Sequence, residues 1–392
     1  MKNQIRVFFF KSLHRISSAS IISISLVPSL SMADSIMFQS NLERTGVYND
    51  LGPEESPELA WKFDAASPII STPLVYEGTV YFANFSGDIY AVDEQDGSVI
   101  WEKDLEGEPS FQITLSEDSL LVGLRFSDEG DNSYLISLDR MTGNENWRFE
   151  TDYQTGLGTP AIYNETVFLT SVQDYLFSLD LMTGEELWRY PIHGRQGEIV
   201  ISNDTLYSQD SSQTLHAISS ELGQEKWRLT SPPTKRSAFG TPSANSCCIF
   251  TIINNDTSGS LTKINKNSGE LEAEFKIEFP SLSSISLADE VAFFGDEGEG
   301  HADAHGYMNA MDIESGELLW RFETEGFVRG AASIAGDTVY FGSHDHYMYA
   351  VDRHTGEMRW RYETNAGIAS TPAIVDGRLY FGSIDGHLYV LE

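Results

Sequence analysis

One pattern, Ala-x-Asp-x-x-Thr-Gly-x-x-x-Trp, recurs along this chain of 392 residues and constrains its fold more than any other feature. It is clearest from Asp312 to Trp320 and from Asp352 to Trp360. Successive copies of its glycine stand 39 to 47 residues apart, a period that indicates an array of repeated units. The repeat glycines are Gly97, Gly143, Gly184, Gly223, Gly269, Gly316 and Gly356, and the tryptophans are Trp61, Trp101, Trp147, Trp188, Trp227, Trp320 and Trp360.

The content of each unit predicts β-structure and not a helical hairpin. In residues 370–391, short apolar segments alternate with the two-residue turn signals Asp376-Gly377 and Asp385-Gly386, which are typical of β-hairpins. The repeat turn then leads into a further strand that carries the tryptophan. Four antiparallel strands per unit predict the blade of a β-propeller.

The two ends of the chain fix the number of blades. The last unit stops at Glu392, where it still lacks its fourth strand, whereas residues 57–63 have the pattern of a fourth strand with no blade before them. Seven internal turns and this closure predict an all-β fold, an eight-bladed propeller over residues 57–392 closed by the N-terminal strand. Trp61 then serves the last blade, and closure removes the free edges of the ring.

The repeated residues are interpreted as structural, because a catalytic group is not needed in every blade. The turn glycine suits a positive φ angle, the aspartate can cap the turn, and the tryptophan buries a large ring between blades. The fifth unit has Ala273 in place of tryptophan. We therefore expect the fifth blade to bury less apolar area against its neighbour and to exchange its amide protons first.

Residues 1–33 have the features of a signal peptide. They contain four basic residues and no acid, then a serine-interrupted apolar stretch from Ile16 to Leu30 and the small-residue site that ends at Ala33. A retained membrane anchor is the alternative, although the stretch is short for a membrane span. We expect cleavage near Ala33, a leader segment at residues 34–56, no membrane span in the mature chain, and a periplasmic or secreted location.

Charge and cysteine content exclude several classes of function. The formal net charge is −34, which argues against binding to nucleic acid or to an anionic membrane surface. Two cysteines cannot form a four-cysteine zinc or iron–sulfur site. The sequence has no GxSxG, HExxH or P-loop motif, so no catalytic residue is predicted.

With these repeats, residues 57–392 resemble the propellers with pyrroloquinoline-quinone (PQQ) type repeats. The leader from Phe38 to Gly46 is also similar to segments that precede the first blade in that family. The resemblance implies two branches, the quinoprotein dehydrogenases and a non-enzymatic branch similar to BamB, a scaffold lipoprotein of the outer-membrane β-barrel assembly machine. Short spacings between blades fit the second branch, whereas no cysteine precedes Cys247 to carry a lipid.

The sequence therefore predicts an exported, monomeric, non-enzymatic scaffold that binds envelope proteins or extended peptides. The alternatives are a PQQ-dependent oxidoreductase and a metal-binding propeller. We expect no PQQ cofactor, because the inner strands at residues 71–75, 158–162, 331–334 and 370–374 carry small or apolar residues. A divalent metal is the other cofactor considered.

Cys247 and Cys248 resemble the adjacent-cysteine disulfide that quinoprotein dehydrogenases place against their quinone. Alignment of Thr241-Pro242 with Thr371-Pro372 instead puts the pair in the turn between the first two strands of the fifth blade, on the face opposite the family's quinone site. Adjacent Cα atoms are also closer than is usual for a disulfide. Both interpretations, a cofactor role and ordinary turn residues that are reduced or oxidised, stay open at this point.

Two groups of loop residues are candidate binding sites. Histidines and carboxylates in the connections between the second and third strands of blades 6 and 7 suit a divalent transition metal, or alternatively form solvated polar loops. The connections between blades carry basic and aromatic side chains that suit an acidic or extended peptide, or alternatively balance nearby acids. The metal candidates are Asp296, Glu299, His301, Asp303, His305, His344 and His346, and the partner-binding candidates are Arg195, Lys235, Arg236, Phe239, Phe327 and Arg329.

Overall fold

Each repeat folds into one antiparallel sheet of four strands, which follow one another in chain order in the first seven blades. The computed structural model describes residues 36–105, 107–125, 133–151, 156–171, 175–192, 198–230, 240–298 and 305–392, and no helix occurs in these ranges. The predicted signal peptide lies outside them. We number the sheets as blades 1 to 8 along the chain and letter their strands A to D from the ring axis outwards.

The first four blades have strands of three to eight residues. Blade 1 comprises Leu74–Tyr76, Thr79–Ala83, Asp88–Asp93 and Val99–Asp104, and blade 2 comprises Glu108–Leu115, Ser119–Arg125, Tyr134–Asp139 and Glu145–Glu150. Blade 3 comprises Ala161–Tyr163, Thr166–Thr170, Tyr175–Asp180 and Glu186–Pro191, and blade 4 comprises Val200–Ser202, Thr205–Gln209, Leu215–Ser219 and Glu225–Leu229.

The next four blades repeat this arrangement, and the last takes its strand D from the start of the chain. Blade 5 comprises Ser243–Ala244, Cys248–Asn254, Gly259–Asn265 and Leu271–Ile277, and blade 6 comprises Ser286–Ala288, Val291–Asp296, Gly306–Asp312 and Leu318–Thr324. Blade 7 comprises Ser333–Ala335, Thr338–Gly342, Tyr347–Asp352 and Met358–Glu363, and blade 8 comprises Ala373–Val375, Arg378–Gly382, His387–Leu391 and Leu59–Asp64.

The predicted closure of the ring is confirmed. Strand Leu59–Asp64 pairs antiparallel with His387–Leu391, and Trp61 lies opposite Val390. Strand A of blade 8 also contacts strand A of blade 1, so the eight blades form a complete circle. Closure leaves no inner strand without a neighbour, which protects the edges of the sheets.

Aromatic rings on turn glycines join neighbouring blades. At the contact of blades 8 and 1, a Cβ atom on Gly97 would lie 2.7 Å from Cε3 of Trp61, and the φ angle of Gly97 is +72°. Both facts require glycine, because a side chain would collide with the indole ring and strain the backbone. The Trp61 Nε1 then donates to the carbonyl of Glu94 at 3.0 Å, so one tryptophan supplies both packing and a hydrogen bond.

The apolar core is divided into clusters that lie between blades. One cluster joins Phe82 and Val92 of blade 1 to Tyr380 and Leu388 of blade 8. Strands B and C are almost fully buried, whereas strand D alternates between exposed and covered positions. This pattern follows from the architecture, because the middle strands face a neighbour on both sides and strand D forms the outer wall.

Candidate functional site

The leader segment lies along the inner edges of the blades, at the axis of the ring. Its carbonyl groups accept hydrogen bonds from the A strands of four successive blades, and Val47–Tyr48 pairs in parallel with Ile334–Ala335. Ile36 adds a fifth blade, because its carbonyl accepts the Leu115 N–H of blade 2 at 3.0 Å. The four bonds run from Ile201 to Leu42 at 2.8 Å, Ala244 to Glu43 at 2.9 Å, Leu287 to Thr45 at 2.8 Å and Ile334 to Gly46 at 2.8 Å.

Arg44 is the charged centre of this segment and is completely buried. Its Nη1 donates to the carbonyl of Phe38 at 2.6 Å, and its Nε donates to the carbonyl of Ile199 in front of blade 4 at 3.2 Å. Burial lowers the pKa of the Arg44 guanidinium from 12.5 to about 10, while the Glu198 carboxylate opposes that change. The Arg44 side chain thus links the leader to blade 4 through two hydrogen bonds.

Close contacts fix the leader against blade 6 as well. Gln39 Nε2 donates to the carbonyl of Ile285 at 2.8 Å and to Oγ of Ser286 at 3.1 Å. A Cβ atom on Gly46, whose φ angle is +70°, would lie 2.6 Å from the same Ser286 Oγ and 2.7 Å from the carbonyl oxygen of Ala332. Glycine is therefore required where the leader passes blades 6 and 7.

The end of the leader completes a blade contact that the repeats alone leave unfinished. Trp360 Nε1 donates to the carbonyl of Pro53 at 2.8 Å, and Tyr340 OH donates to the same carbonyl at 3.1 Å. In blade 6, Nε1 of the equivalent Trp320 donates to the carbonyl of Arg353, in the turn of the next blade. Because blade 8 ends before that turn, Pro53 supplies the missing acceptor, a role that the sequence analysis did not predict.

Polar side chains link neighbouring blades near their A strands, in one group on blades 3 to 5 and one pair on blades 1 and 2. The Glu198 carboxylate accepts the hydroxyl of Thr241 and, at 3.2 Å, that of Thr159. Gln112 Oε1 accepts the backbone N–H of Thr72 at 2.6 Å. Sequence reasoning missed Glu198 and Gln112, because it compared only four of the A strands. A signal was available for Glu198, which lies just before the apolar residues Ile199-Val200-Ile201.

The dehydrogenase branch of the resemblance implies a quinone with its calcium ion, and the expectation that this chain binds none stays a prediction. Such a site needs carboxylate and amide oxygens that can coordinate a cation. In the described part of the axis, Glu198 and Gln112 instead receive hydrogen bonds from blade residues, and the Arg44 Nε and Nη1 donate to backbone carbonyls. The leader contacts the A strands at their other ends, next to the A–B turns.

The predicted metal ligands that the structure describes have separate partners. Asp296 is buried, and its carboxylate accepts from Asn309 at 2.9 Å and from the Gly298 N–H at 2.9 Å. His305 is exposed and lies 3.2 Å from Glu323. No group of three potential ligands is placed for a metal in the described ranges. Glu299, His301 and Asp303 lie outside these ranges, so a metal site in that connection stays a prediction.

The two candidate histidines of blade 7 differ from each other in environment. Burial, with a contribution from Arg329, lowers the pKa of His344, whose ring lies 6.1 Å from that of Phe327. His346 is exposed and has a φ angle of +77°. His344 is therefore uncharged at neutral pH and packs near Phe327. The backbone of His346 lies in a tight turn.

Two of the six predicted partner-binding residues lie in the described ranges. Arg329 Nε is 2.6 Å from Oε1 of Glu297, whose side chain is only 7% exposed, and the guanidinium lies over the ring of Phe327. Its charge therefore compensates a buried carboxylate within the protein, and a role for Arg329 and Phe327 in binding a partner stays a prediction. Arg195, Lys235, Arg236 and Phe239 lie outside the described residues.

Cys247 ends the turn between strands A and B of blade 5 and Cys248 begins strand B, as the alignment of repeats predicted. The structure joins them in a disulfide although they are adjacent in sequence. Cys247 is exposed and Cys248 is buried. The leader contacts the same blade at Ala244, which places the disulfide close to residues that hold the leader.

Comparisons with known proteins identify both branches of this fold. The family described as "Outer membrane protein assembly factor BamB" matches residues 54–148, 131–292 and 304–392. The crystal structure of BamB from Moraxella catarrhalis is similar with a TM-score of 0.70 and 17% identity, over 86% of this chain and 100% of that chain. In a search of curated proteins, no sequence matched.

Two enzymes share the fold to a similar degree. A europium-containing methanol dehydrogenase has a TM-score of 0.75 and 13% identity, over 92% of this chain and 98% of that chain. The quinohemoprotein alcohol dehydrogenase from Comamonas testosteroni has a TM-score of 0.73 and 15% identity, over 92% and 80%. Likeness at these identities establishes the architecture alone. In the described residues, no helix is long and apolar enough to cross a membrane.

Proposed function

This chain belongs to the family of the outer membrane protein assembly factor BamB, and from that premise we propose that it is a non-enzymatic scaffold which binds protein partners in the cell envelope. The features of a signal peptide in residues 1–33 support export, with cleavage near Ala33 and a periplasmic or secreted product. The mature propeller acts as a monomer that presents loops on a rigid ring.

The observation that carries this proposal is the path of the leader through the ring. The axis is where enzymes of this architecture hold their quinone, according to the resemblance. Here the chain's own residues 36–48 take the inner hydrogen-bonding edges of five blades, and the buried Arg44 and Gln39 fasten them there. The end of the axis next to the A–B turns therefore serves stability, and the other faces of the ring remain for binding.

A PQQ-dependent oxidoreductase is the second candidate function. Two observations favour it, the similarity of the fold to alcohol dehydrogenases and the disulfide between adjacent cysteines. The position of that disulfide argues against it, because Cys247 and Cys248 lie in an A–B turn whereas the family's quinone site is built from the connections at the opposite face.

Chemical cross-linking in intact cells tests the scaffold proposal. Full-length protein with a C-terminal tag is cross-linked, purified under denaturing conditions and analysed by mass spectrometry. We expect one or more envelope proteins joined to lysines of the propeller, and a mature N-terminus at Asp34. If the protein is recovered only as an uncross-linked monomer, or is retained in the cytoplasm, the proposal is wrong.

A further inference from the structure

The disulfide of blade 5 joins two cysteines of opposite exposure. Cys247 is exposed in the turn between strands A and B, whereas Cys248 is buried at the start of strand B. Thiol–disulfide exchange requires a thiolate to reach one of the two sulfurs. The Cys247 sulfur is therefore the one that a thiol in solution can attack, and the Cys248 sulfur is the one that is released.

This disulfide contributes little to the stability of the blade. A disulfide stabilises a protein mainly by restricting the unfolded chain, and the effect grows with the length of the loop that it closes. Cys247 and Cys248 are adjacent in sequence, so no other residue lies in the closed loop. The A–B turns of the other seven blades contain no cysteine. The turn itself therefore does not require the disulfide.

Hydrogen bonds hold this turn in place independently of the disulfide. Asn245 Oδ1 accepts the backbone N–H groups of Cys247 at 3.1 Å and of Cys248 at 2.9 Å. The backbone N–H of Asn245 donates to the carbonyl of Cys248 at 3.0 Å. Lys266 donates from Nζ to the carbonyl of Asn245 at 2.9 Å and from its backbone N–H to the carbonyl of Cys247 at 3.1 Å. These bonds keep the two sulfurs side by side after reduction, so the disulfide can form again.

A carboxylate lies next to the buried sulfur. Oε2 of Glu272 is 3.5 Å from Sγ of Cys248, and Oε1 of Glu272 accepts from Asn265 Nδ2 at 2.8 Å. Because like charges repel, the carboxylate opposes a thiolate on Cys248 and favours the protonated thiol. A thiol attacks a disulfide much more slowly than a thiolate does. Glu272 therefore slows the return attack of Cys248 on any group that is bound to Cys247.

We infer that Cys247 is a site of covalent modification by thiols. A thiolate forms a bond to Sγ of Cys247, the bond between the two cysteines breaks, and its electron pair leaves with Sγ of Cys248. Cys248 gains one proton, which balances the proton that the attacking thiol lost. The products are a mixed disulfide on Cys247 and a thiol at Cys248. This chemistry goes beyond the proposed scaffold function and does not depend on it.

Reaction with glutathione tests the inference on the full-length, oxidised protein. After a short treatment, the protein is unfolded in urea with N-ethylmaleimide, and its peptides are sequenced by mass spectrometry. We expect glutathione on Cys247 and maleimide on Cys248, with a preference of at least about tenfold over the reverse arrangement. Equal distribution of glutathione over the two sulfurs, or no glutathione adduct, would overturn the inference.

Single-cysteine variants form a matched pair, because each keeps one sulfur at its own position. The Cys248→Ser variant should react with an aromatic disulfide reagent at the rate of an accessible thiol. The Cys247→Ser variant should react at least about a hundredfold more slowly until urea unfolds it. Both variants should melt close to the unchanged protein, since the turn keeps its hydrogen bonds. Equal reaction rates of the two folded variants would contradict the assignment of Cys247.

The carboxylate is tested by Glu272→Gln, with Glu274→Gln on the same strand as the control of equal charge. Glu272→Gln should shorten the lifetime of the glutathione adduct severalfold, because Cys248 then forms its thiolate more readily. Glu274→Gln should leave the lifetime unchanged. Equal lifetimes in the two variants would show that Glu272 does not control the reaction.

Recovery of the Cys248→Ser variant from intact cells, with thiols blocked at lysis, distinguishes two sources of the thiol. A small adduct on Cys247 identifies a low-molecular-weight thiol. A disulfide from Cys247 to a second polypeptide identifies a cysteine of a partner protein. Both outcomes support a modification site, whereas Cys247 recovered entirely as a free thiol would overturn it.

Discussion

Blades 6 and 7 meet through a tryptophan, whereas blades 5 and 6 meet without one. At the first contact, Trp320 covers Gly356, where a Cβ atom would lie 2.8 Å from the indole ring. Its Nε1 donates to the carbonyl of Arg353 at 2.8 Å. One side chain thus provides both the ring on the turn glycine and the hydrogen bond to the turn.

At the second contact, two side chains divide this work. Ala273 takes the tryptophan's register opposite Lys263, and Phe275, two residues later, covers Gly316 in its place. Lys263 Nζ lies 2.5 Å from Oε1 of Glu314 in the turn of blade 6. The ion pair links the blades where the indole N–H is missing, but Glu314 is largely exposed, so solvent screens it.

The difference teaches that the propeller requires a flat ring on each turn glycine and not a tryptophan as such. The glycine at the turn is common to both contacts, and its φ angle is +72° at Gly316 and +71° at Gly356. The sequence comparison found the missing tryptophan but not its replacement. The expected weaker protection of blade 5 therefore stays a prediction, now with Phe275 as its structural basis.

The largest effect is expected where the ring closes, a third kind of contact that uses the start of the chain. Deletion of residues 34–63 from the full chain removes the outer strand of blade 8, Trp61 and the Pro53 acceptor of Trp360. We expect a loss of more than about 5 kcal/mol in the free energy of unfolding. Urea unfolding measures it, and a melting temperature near that of the intact protein would contradict closure.

Alanine substitution compares the two blade contacts directly. Trp320→Ala should lower the free energy of unfolding by about 3–5 kcal/mol, because it leaves a large cavity and an unpaired carbonyl. Phe275→Ala should cost about 2–3 kcal/mol, since the ring is smaller and only partly buried. Urea unfolding of both variants provides the measurement. A negligible loss for Phe275→Ala would mean that the ring does not replace tryptophan.

Hydrogen exchange sharpens the comparison without a mutation. The amides of strand D in blade 5 should exchange faster than those of strand D in blade 6, by a factor equivalent to about 1 kcal/mol in local stability. The reason is that Phe275 packs less area than tryptophan and lacks an N–H donor. Equal protection of Leu271–Ile277 and Leu318–Thr324 would show that the divided contact is as strong as the single one.

The smallest effect concerns the acid that caps the turn. A hydrogen bond from Arg359 lowers the pKa of Asp352 in blade 7 to about 2, whereas blade 5 has Asn265 at this position. Because the folded pKa lies below the ordinary value of 3.8, the stabilisation is complete above pH 3.8 and is lost as the pH falls through about 2.

Asp352→Asn should therefore reduce the loss in the free energy of unfolding between neutral pH and about pH 2. The reduction should be at most about 1 kcal/mol after solvent screening. Unfolding in urea at a series of pH values from neutral to acid measures the effect, with Asn265→Asp as the matched control in blade 5. An unchanged profile for Asp352→Asn would mean that the turn carboxylate contributes nothing through its charge.

Periodic residues of this protein could be predicted from the sequence, and unique ones could not. The blade count, the position of Trp61 and the turn of Cys247 follow from alignment of repeats, because each unit repeats the same geometry. The path of residues 36–56 has no period, so the burial of Arg44 and the use of Pro53 as an acceptor emerge only from the folded ring. Glu198 was missed because only four of the A strands were compared, and the A strand of blade 4 was not among them.

The contacts of the loop residues at the candidate sites also could not be predicted from the sequence. Asp296 and His305 lie close in sequence and were both predicted as metal ligands. In the structure, Asp296 is buried and accepts a hydrogen bond from Asn309, whereas His305 is exposed and lies next to Glu323. Arg329 pairs with Glu297 within the protein, and its contact with a partner stays a prediction. Charge type and loop position therefore say which groups are near a face, and packing decides which of them are free.

The central claim is that this ring binds proteins and no quinone, while the chain itself occupies the end of its axis next to the A–B turns. Equilibrium dialysis of the full-length protein with PQQ and calcium or europium, followed by an alcohol-dependent dye-reduction assay, tests it most directly. The account predicts no stoichiometric binding of quinone and no dye reduction above that of the cofactor alone. One equivalent of bound quinone with alcohol-dependent dye reduction would contradict it and establish the oxidoreductase.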